Sequence, residues 1–219
     1  RIILVIFSFM VIYPLVWTIF TSFKSNREIY ANPWAFPETF LWRNYENAWV
    51  KSKFSSYFMN SLFVVTVSAI GNAMISLAMG YVIAKYNSKW MKALSGIFIF
   101  SMMIPDVMIL MPQYFRANEL GLTNNLFFLC IIYIIRSIPF NTFILSRFAR
   151  DINNAFLEAA IIDGASEFRI FFNIIAPLTK GGLTIVLILN AMNYWNEYIT
   201  ALTFLVEESK FTVPIGISN

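Results

Sequence analysis

Histidine is absent from this chain, and cysteine occurs once, at position 130. The commonest general base and metal ligand is thereby missing. Cys130 stands alone inside an apolar run, which excludes a disulfide framework or a thiolate metal site. No phosphate-cradling Gly-Lys-Ser loop occurs, so nucleotide chemistry would need a different chain. Charged residues make up only 13% of the sequence, and the net charge of +4 is spread over short polar segments. That pattern suits the basic flanks of membrane spans rather than a nucleic-acid footprint. An active site built from this chain alone is disfavoured.

Hydrophobic residues, by contrast, make up 58% of the chain. Five stretches reach the length of about 20 mostly apolar residues that a bilayer crossing needs. They are Ile2 to Phe23, Ser61 to Ala84, Ala93 to Phe115, Leu126 to Leu145 and Leu183 to Val206. The first two carry no charge, and the others hold one each: Asp106, Arg136 and Glu197. The reading is an all-α membrane protein, a polytopic helical bundle. A secretory signal peptide is a poor account of Ile2 to Phe23, because the run is too long and no small-residue cleavage site follows. Both ends are expected to continue, since Arg1 opens directly onto the apolar run and Asn219 follows a Pro-Ile-Gly turn.

Two long polar segments separate the spans, Lys24 to Ser56 and Ser146 to Gly182. The first carries Tyr30, Trp34, Phe36, Trp42, Tyr45 and Trp49, side chains that sit well at a membrane interface. Lys and Arg are almost evenly shared between the two sides. The short loop with Lys85, Lys89 and Lys92 favours an inside amino end, but charge alone does not fix the orientation.

Within Ser146 to Gly182 the spacing predicts a short helix that Asn154 can cap and Gly164 can end in a left-handed conformation. Ser166 can cap a second helix, which Pro177 ends or kinks. Ala155, Ala159 and Ile162 share one face, and small residues at Ala159 and Ala160 admit a partner backbone. Periodicity leaves two readings open: docking into a protein groove, or a helix lying in the interface and touching nothing else.

Glu158-Ala159-Ala160, Gly164 and then Ile174-Ile175-Ala176-Pro177 resemble the EAA loop of permease subunits in bacterial ATP-binding-cassette importers. Ala176 departs from the pattern, standing where the family usually has Leu. The resemblance implies the type I importer permease fold in a bacterial plasma membrane, with a cytoplasmic loop 146–182 that couples to an ATPase through Glu158, Ala159, Ala160, Asp163 and Gly164. It also implies an inside amino end, a sixth span beyond Asn219, and a division into a first helix with external loop (1–56) and a permease domain (57–219). Implied partners are a homologous permease subunit, two ATPase subunits that hold ATP and Mg, and an external solute-binding protein. Asn60-Ser61-Leu62, Gly80-Tyr81, Met103-Ile104-Pro105, Trp195-Asn196-Glu197-Tyr198 and Phe211-Thr212-Val213-Pro214-Ile215-Gly216 look like the G-type subunit of maltose-type sugar importers. Another solute, such as an amino acid, polyamine or phosphate, is the alternative, because the coupling motif is shared across importers.

Ionisable groups at membrane depth are costly unless paired or hydrated, so each is a candidate pathway residue. Arg136 lies about ten residues, roughly 15 Å, from either end of its span. Pairing with Asp106 or Glu197, exposure to a water-filled cavity, or a span broken near Pro139 would each relieve it. Asn190, Asn193 and Glu197 fall on one face of a helix at intervals of three and four. Such a stripe suits either a hydrated pore wall that binds sugar hydroxyls or interhelical glue between the two permease subunits. Asp106, Arg136 and Glu197 could alternatively serve a membrane enzyme, if the fold brought them together. Met74, Met79, Met102, Met103, Met108 and Met111 read as adaptable packing. Gly71 and Gly80 signal close helix contact.

Overall fold

The computed structural model describes residues 1–86 and 88–218, and the chain divides into two compact units, Arg1–Ser55 and Ser56–Asn219. In the first unit, α1 (Ile2–Ser22) is apolar throughout, and α2 (Asn26–Ala31) and α3 (Arg43–Glu46) follow. Ser25 and Glu28 form a capping box at the start of α2. Backbone hydrogen bonds from Ser25 and Glu38 hold the Glu28 carboxyl below its usual range. Trp17 Nε1 donates to the Pro33 carbonyl at 2.9 Å, and Lys24 Nζ donates to the carbonyls of Asn32 and Pro33. The interfacial aromatics pack on one another here, as in the edge-on pairing of Phe20 with Phe36 and of Phe23 with Trp42.

The second unit is built on α4 (Phe54–Lys85), α5 (Lys89–Ser101), α6 (Asp106–Glu119) and α7 (Leu126–Arg150). After these come α8 (Asn154–Ile162), α9 (Glu167–Ile170), α10 (Ala176–Leu178), α11 (Lys180–Asn196), α12 (Ile199–Phe204) and α13 (Val213–Ser218). Among the described residues α1, α4 and α7 are each long and apolar enough to cross a membrane, and the number of spans reaches five if each bent helix pair counts as one. The expected third span is broken: α5 and α6 meet at 98°, and Pro105 sits extended at the break because it cannot continue a helix. The expected fifth span is displaced toward the amino end. Its helix starts at Lys180 and stops at Asn196, and it meets the 167–178 segment at 77°. Thr179 marks that second bend, with its Oγ1 donating to the carbonyls of Ile175 and Ala176 just past Pro177. Pro139, in contrast, leaves α7 continuous, so Arg136 sits within an unbroken helix. The sixth span expected beyond Asn219 lies outside the described residues.

The small residues of α4 are where α7 comes closest. A Cβ on Gly80 would stand 2.9 Å from the Ser146 backbone nitrogen and 3.2 Å from the Leu145 carbonyl carbon, and one on Gly71 would meet Ile134. The Leu145–Ser146 backbone facing Gly80 cannot yield as the Ile134 side-chain tip facing Gly71 could. Gly80→Leu is therefore expected to force the two helices apart at more than the ~1–3 kcal/mol of ordinary overpacking. Fluorescence-detected size exclusion should show little monodisperse protein for it. Gly96→Leu, whose Cβ would meet nothing within 4 Å, should behave as the parent. Equal behaviour of the two variants would dismiss the close approach.

Candidate functional site

Asn153, not Asn154, caps α8, its side chain accepting from the Ala155 backbone N–H. Asn154 is the first helical residue and serves as an anchor instead. The Lys85 ammonium at the end of α4 donates to Asn154 Oδ1 at 2.8 Å and to the Ile152 carbonyl at 2.6 Å. At its other end α8 closes in a Schellman arrangement. Ala165 N–H reaches the Ala160 carbonyl, Gly164 N–H reaches Ile161, and Gly164 adopts φ +75°. Ser166 then caps α9 as expected, accepting from Arg169 N–H.

Two faces of α8 differ sharply. Leu157 is buried in a cluster with Ala73, Leu77 and Tyr81 of α4, Leu145 of α7 and Val186 of α11, and Ala160 packs against that cluster. Ala155, Glu158, Ala159, Ile162, Asp163 and Gly164 are exposed. The five residues named from the sequence thus part, with Ala160 holding the helix to the core and the other four facing outward. The sequence reading missed Phe156, Ile161 and Phe168, which are exposed large apolar side chains beside that outward face. Their signal was available, because apolar residues surround the Glu-Ala-Ala turn on all sides. The whole element is an exposed apolar and acidic knob, fastened by Lys85 and Leu157 to helices of the bundle.

Further along the bundle the ionisable groups are partnered. Arg136 Nη2 meets Asp106 Oδ2 at 2.6 Å and its Nη1 donates to Thr200 Oγ1 at 3.3 Å, tying α7 to the first residue of α6 and to α12. Both side chains of the ion pair stay 40–51% exposed. Glu197 does not join them. It lies past the end of α11 and accepts from Tyr133 Oη at 2.7 Å and from the Thr200 and Ala201 backbone N–H groups, at the start of α12. Arg136 and Glu197 nonetheless share Thr200 as a partner, one through its hydroxyl and the other through its backbone N–H.

The expected stripe of Asn190, Asn193 and Glu197 dissolves, since α11 ends before Glu197 and the two asparagines face differently. Asn193 is exposed, and its side chain makes no hydrogen bond among the described residues. Asn190 is 2% exposed and belongs to a knot of three buried amides, with Asn72 of α4 and Asn141 of α7. Asn141 Nδ2 donates to Asn72 Oδ1 at 2.5 Å and to Asn190 Oδ1 at 2.8 Å, while Asn190 Nδ2 donates to Asn72 Oδ1 at 3.0 Å. Asn72 Nδ2 finishes the set on the Ile134 carbonyl. Glue within one chain is therefore the arrangement at Asn190. Asn72 and Asn141 escaped notice because single amides vanish in a hydropathy average over an apolar run.

Comparison with known proteins closes the description. Residues 76–215 match the family described as "Binding-protein-dependent transport system inner membrane component". The chain is 29% identical to the diacetylchitobiose uptake system permease protein NgcG of Streptomyces coelicolor, over 98% of this chain and 71% of that one. It is 28% identical to the melibiose/raffinose/stachyose import permease protein MelC of Bacillus subtilis, over 94% and 75%. Among solved structures, a bacterial ABC transporter involved in the import of the acidic polysaccharide alginate superposes with a TM-score of 0.87, at 23% identity, over 99% of this chain and 76% of that one.

Proposed function

Because the chain belongs to the family of binding-protein-dependent transport system inner membrane components, we propose that it is the permease subunit through which an ATP-driven importer passes a sugar or oligosaccharide. The chain is a multi-pass membrane protein of that family. The observation that carries the mechanism is the α8 knob, which is exposed on its Glu158–Asp163 face and locked behind to α4, α7 and α11. A partner ATPase binds ATP and Mg, closes, and displaces this knob. Lys85 and Leu157 pass the displacement to α4, and Val186 passes it to α11. The helices then turn about a core that does not deform, and the pathway between this chain and a homologous permease subunit opens to the outside. A solute-binding protein delivers the sugar there. NgcG and MelC, by name, serve diacetylchitobiose and melibiose, raffinose and stachyose, which is the support for sugar over other solutes.

The topology is the most direct test. Cys130 is buried, so single cysteines at other positions can be labelled from outside intact cells without background. Cysteines replacing Trp42 and Lys210 are expected to react with an impermeant maleimide, and those replacing Lys89 and Arg169 only after the membrane is opened. External labelling at 169 would place the α8 knob on the wrong side for an ATPase. With the complex in liposomes, ATP-dependent accumulation of labelled oligosaccharide is expected. Accumulation of an amino acid or phosphate alone would refute the sugar.

A further inference from the structure

A cavity between α5 and α7, closed behind by Ile83 of α4, takes no part in the coupling just described. Its walls change character along their length. Phe98 and Ile99 of α5, Met102 just past its end, and Pro139 and Phe143 of α7 make the apolar end, and Arg147 and Arg150 stand at the mouth. Both arginines are exposed, and neither has an ion pair among the described residues. Arg147 lies over the Phe143 ring at 4.9 Å. No acidic side chain lines the cavity.

Thr142 adds an independent observation. It lines the same cavity, is 1% exposed, and its Oγ1 has no hydrogen-bond partner among the described residues. A buried hydroxyl without a partner is rare enough to call for an acceptor or donor from elsewhere. From Thr142 to Arg150 is about 12 Å of helical rise. The demands are thus an anion at the mouth, a polar atom part of the way down, and an apolar chain below.

We infer that this cavity holds one anionic glycerophospholipid, its phosphate on Arg147 and Arg150, an ester carbonyl accepting from Thr142, and an acyl chain along Ile99 and Met102. Basic pockets between transmembrane helices are where such headgroups bind. A protein helix would satisfy the apolar end as well, but it would leave two unpaired guanidinium groups to neutralise. The proposal needs the membrane location and not the transport reading.

The whole complex, stripped of lipid in detergent, would be offered phosphatidylglycerol, phosphatidylcholine or inorganic phosphate and weighed by native mass spectrometry. Phosphatidylglycerol should be retained at least about tenfold more than phosphatidylcholine, given the attraction each basic side chain adds toward anionic lipid. Arg147→Gln with Arg150→Gln should lose that preference, and Ile99→Trp should lose retention with both arginines intact. Thr142→Val should weaken it less. Equal retention of both lipids, displacement by inorganic phosphate, or full retention in Ile99→Trp would each overturn the site. So would oxidant-driven disulfide crosslinking of Ile99→Cys to a cysteine introduced in the partner permease, which would make the groove a protein interface.

Discussion

Gly164→Val is expected to leave the protein in the membrane and to cut uptake by roughly five- to thirtyfold, the factor that corresponds to one or two kcal/mol. Gly164 holds φ +75° at the end of α8, where a β-carbon costs about 1–2 kcal/mol. A Cβ placed there would meet nothing within 4 Å, so the penalty is conformational and not a clash within the chain. Relieving the strain would mean undoing the Schellman bonds of Gly164 and Ala165 to Ile161 and Ala160. Asp163 and Ile162 would then swing out of register with Glu158, and the ATPase would meet a different surface. A graded series distinguishes backbone strain from loss of the surface. Gly164→Asn, a side chain that tolerates the left-handed region, should retain more uptake and more copurified ATPase than Gly164→Val, with Gly164→Asp between. Wild-type uptake and ATPase retention in Gly164→Val would remove α8 as the coupling element. Equal loss across the series would shift the cause from strain to the outward surface.

That element was legible because its determinants are local. A capping Ser166 and a glycine at a left-handed position each act within one turn, and the chain folds there as they dictate, whereas the helical segment runs through Pro177 and bends only at Thr179. The spans α1, α4 and α7 were legible for a similar reason, since length and hydropathy alone decide whether a segment can cross a bilayer. The errors arose where two local signals compete. In the third span Pro105 interrupts an apolar run whose average hydropathy hides the interruption, and the helix turns by 98°. In the fifth, Glu197 was counted as a helical position although its carboxylate accepts the Thr200 and Ala201 amides and so begins a new helix. The pairing of Arg136 with Asp106 could be named as an option, because an isolated guanidinium at membrane depth demands a partner. Its choice of Asp106 over Glu197 goes with the break at Pro105, which sets Asp106 at the start of α6 within reach of Arg136.

The amide knot carries the other large effect. Asn72 is its hub: fully buried, it accepts from Asn141 and Asn190 and donates to the Ile134 carbonyl, so one side chain links α4 to both α7 and α11. Asn72→Leu removes the acceptor of Asn190 Nδ2 and one of the two acceptors of Asn141 Nδ2. An orphaned buried amide costs about 1–3 kcal/mol in soluble proteins, and polar pairs between membrane helices average about 0.6 with a maximum near 1.7. A loss of about 1–1.7 kcal/mol is the expected result, where the two ranges overlap. Replacing all three asparagines by apolar residues of similar volume should recover most of that loss, because no polar atom is then stranded. Asn193→Ala offers the contrast. That exposed side chain should leave thermal unfolding unchanged, and any effect it has should fall on uptake. Unfolding temperature and uptake would be measured for all three variants. An unshifted unfolding transition in Asn72→Leu would show that the knot does not clamp the helices. A triple apolar variant that stays folded but loses transport would return Asn72, Asn141 and Asn190 to the pathway.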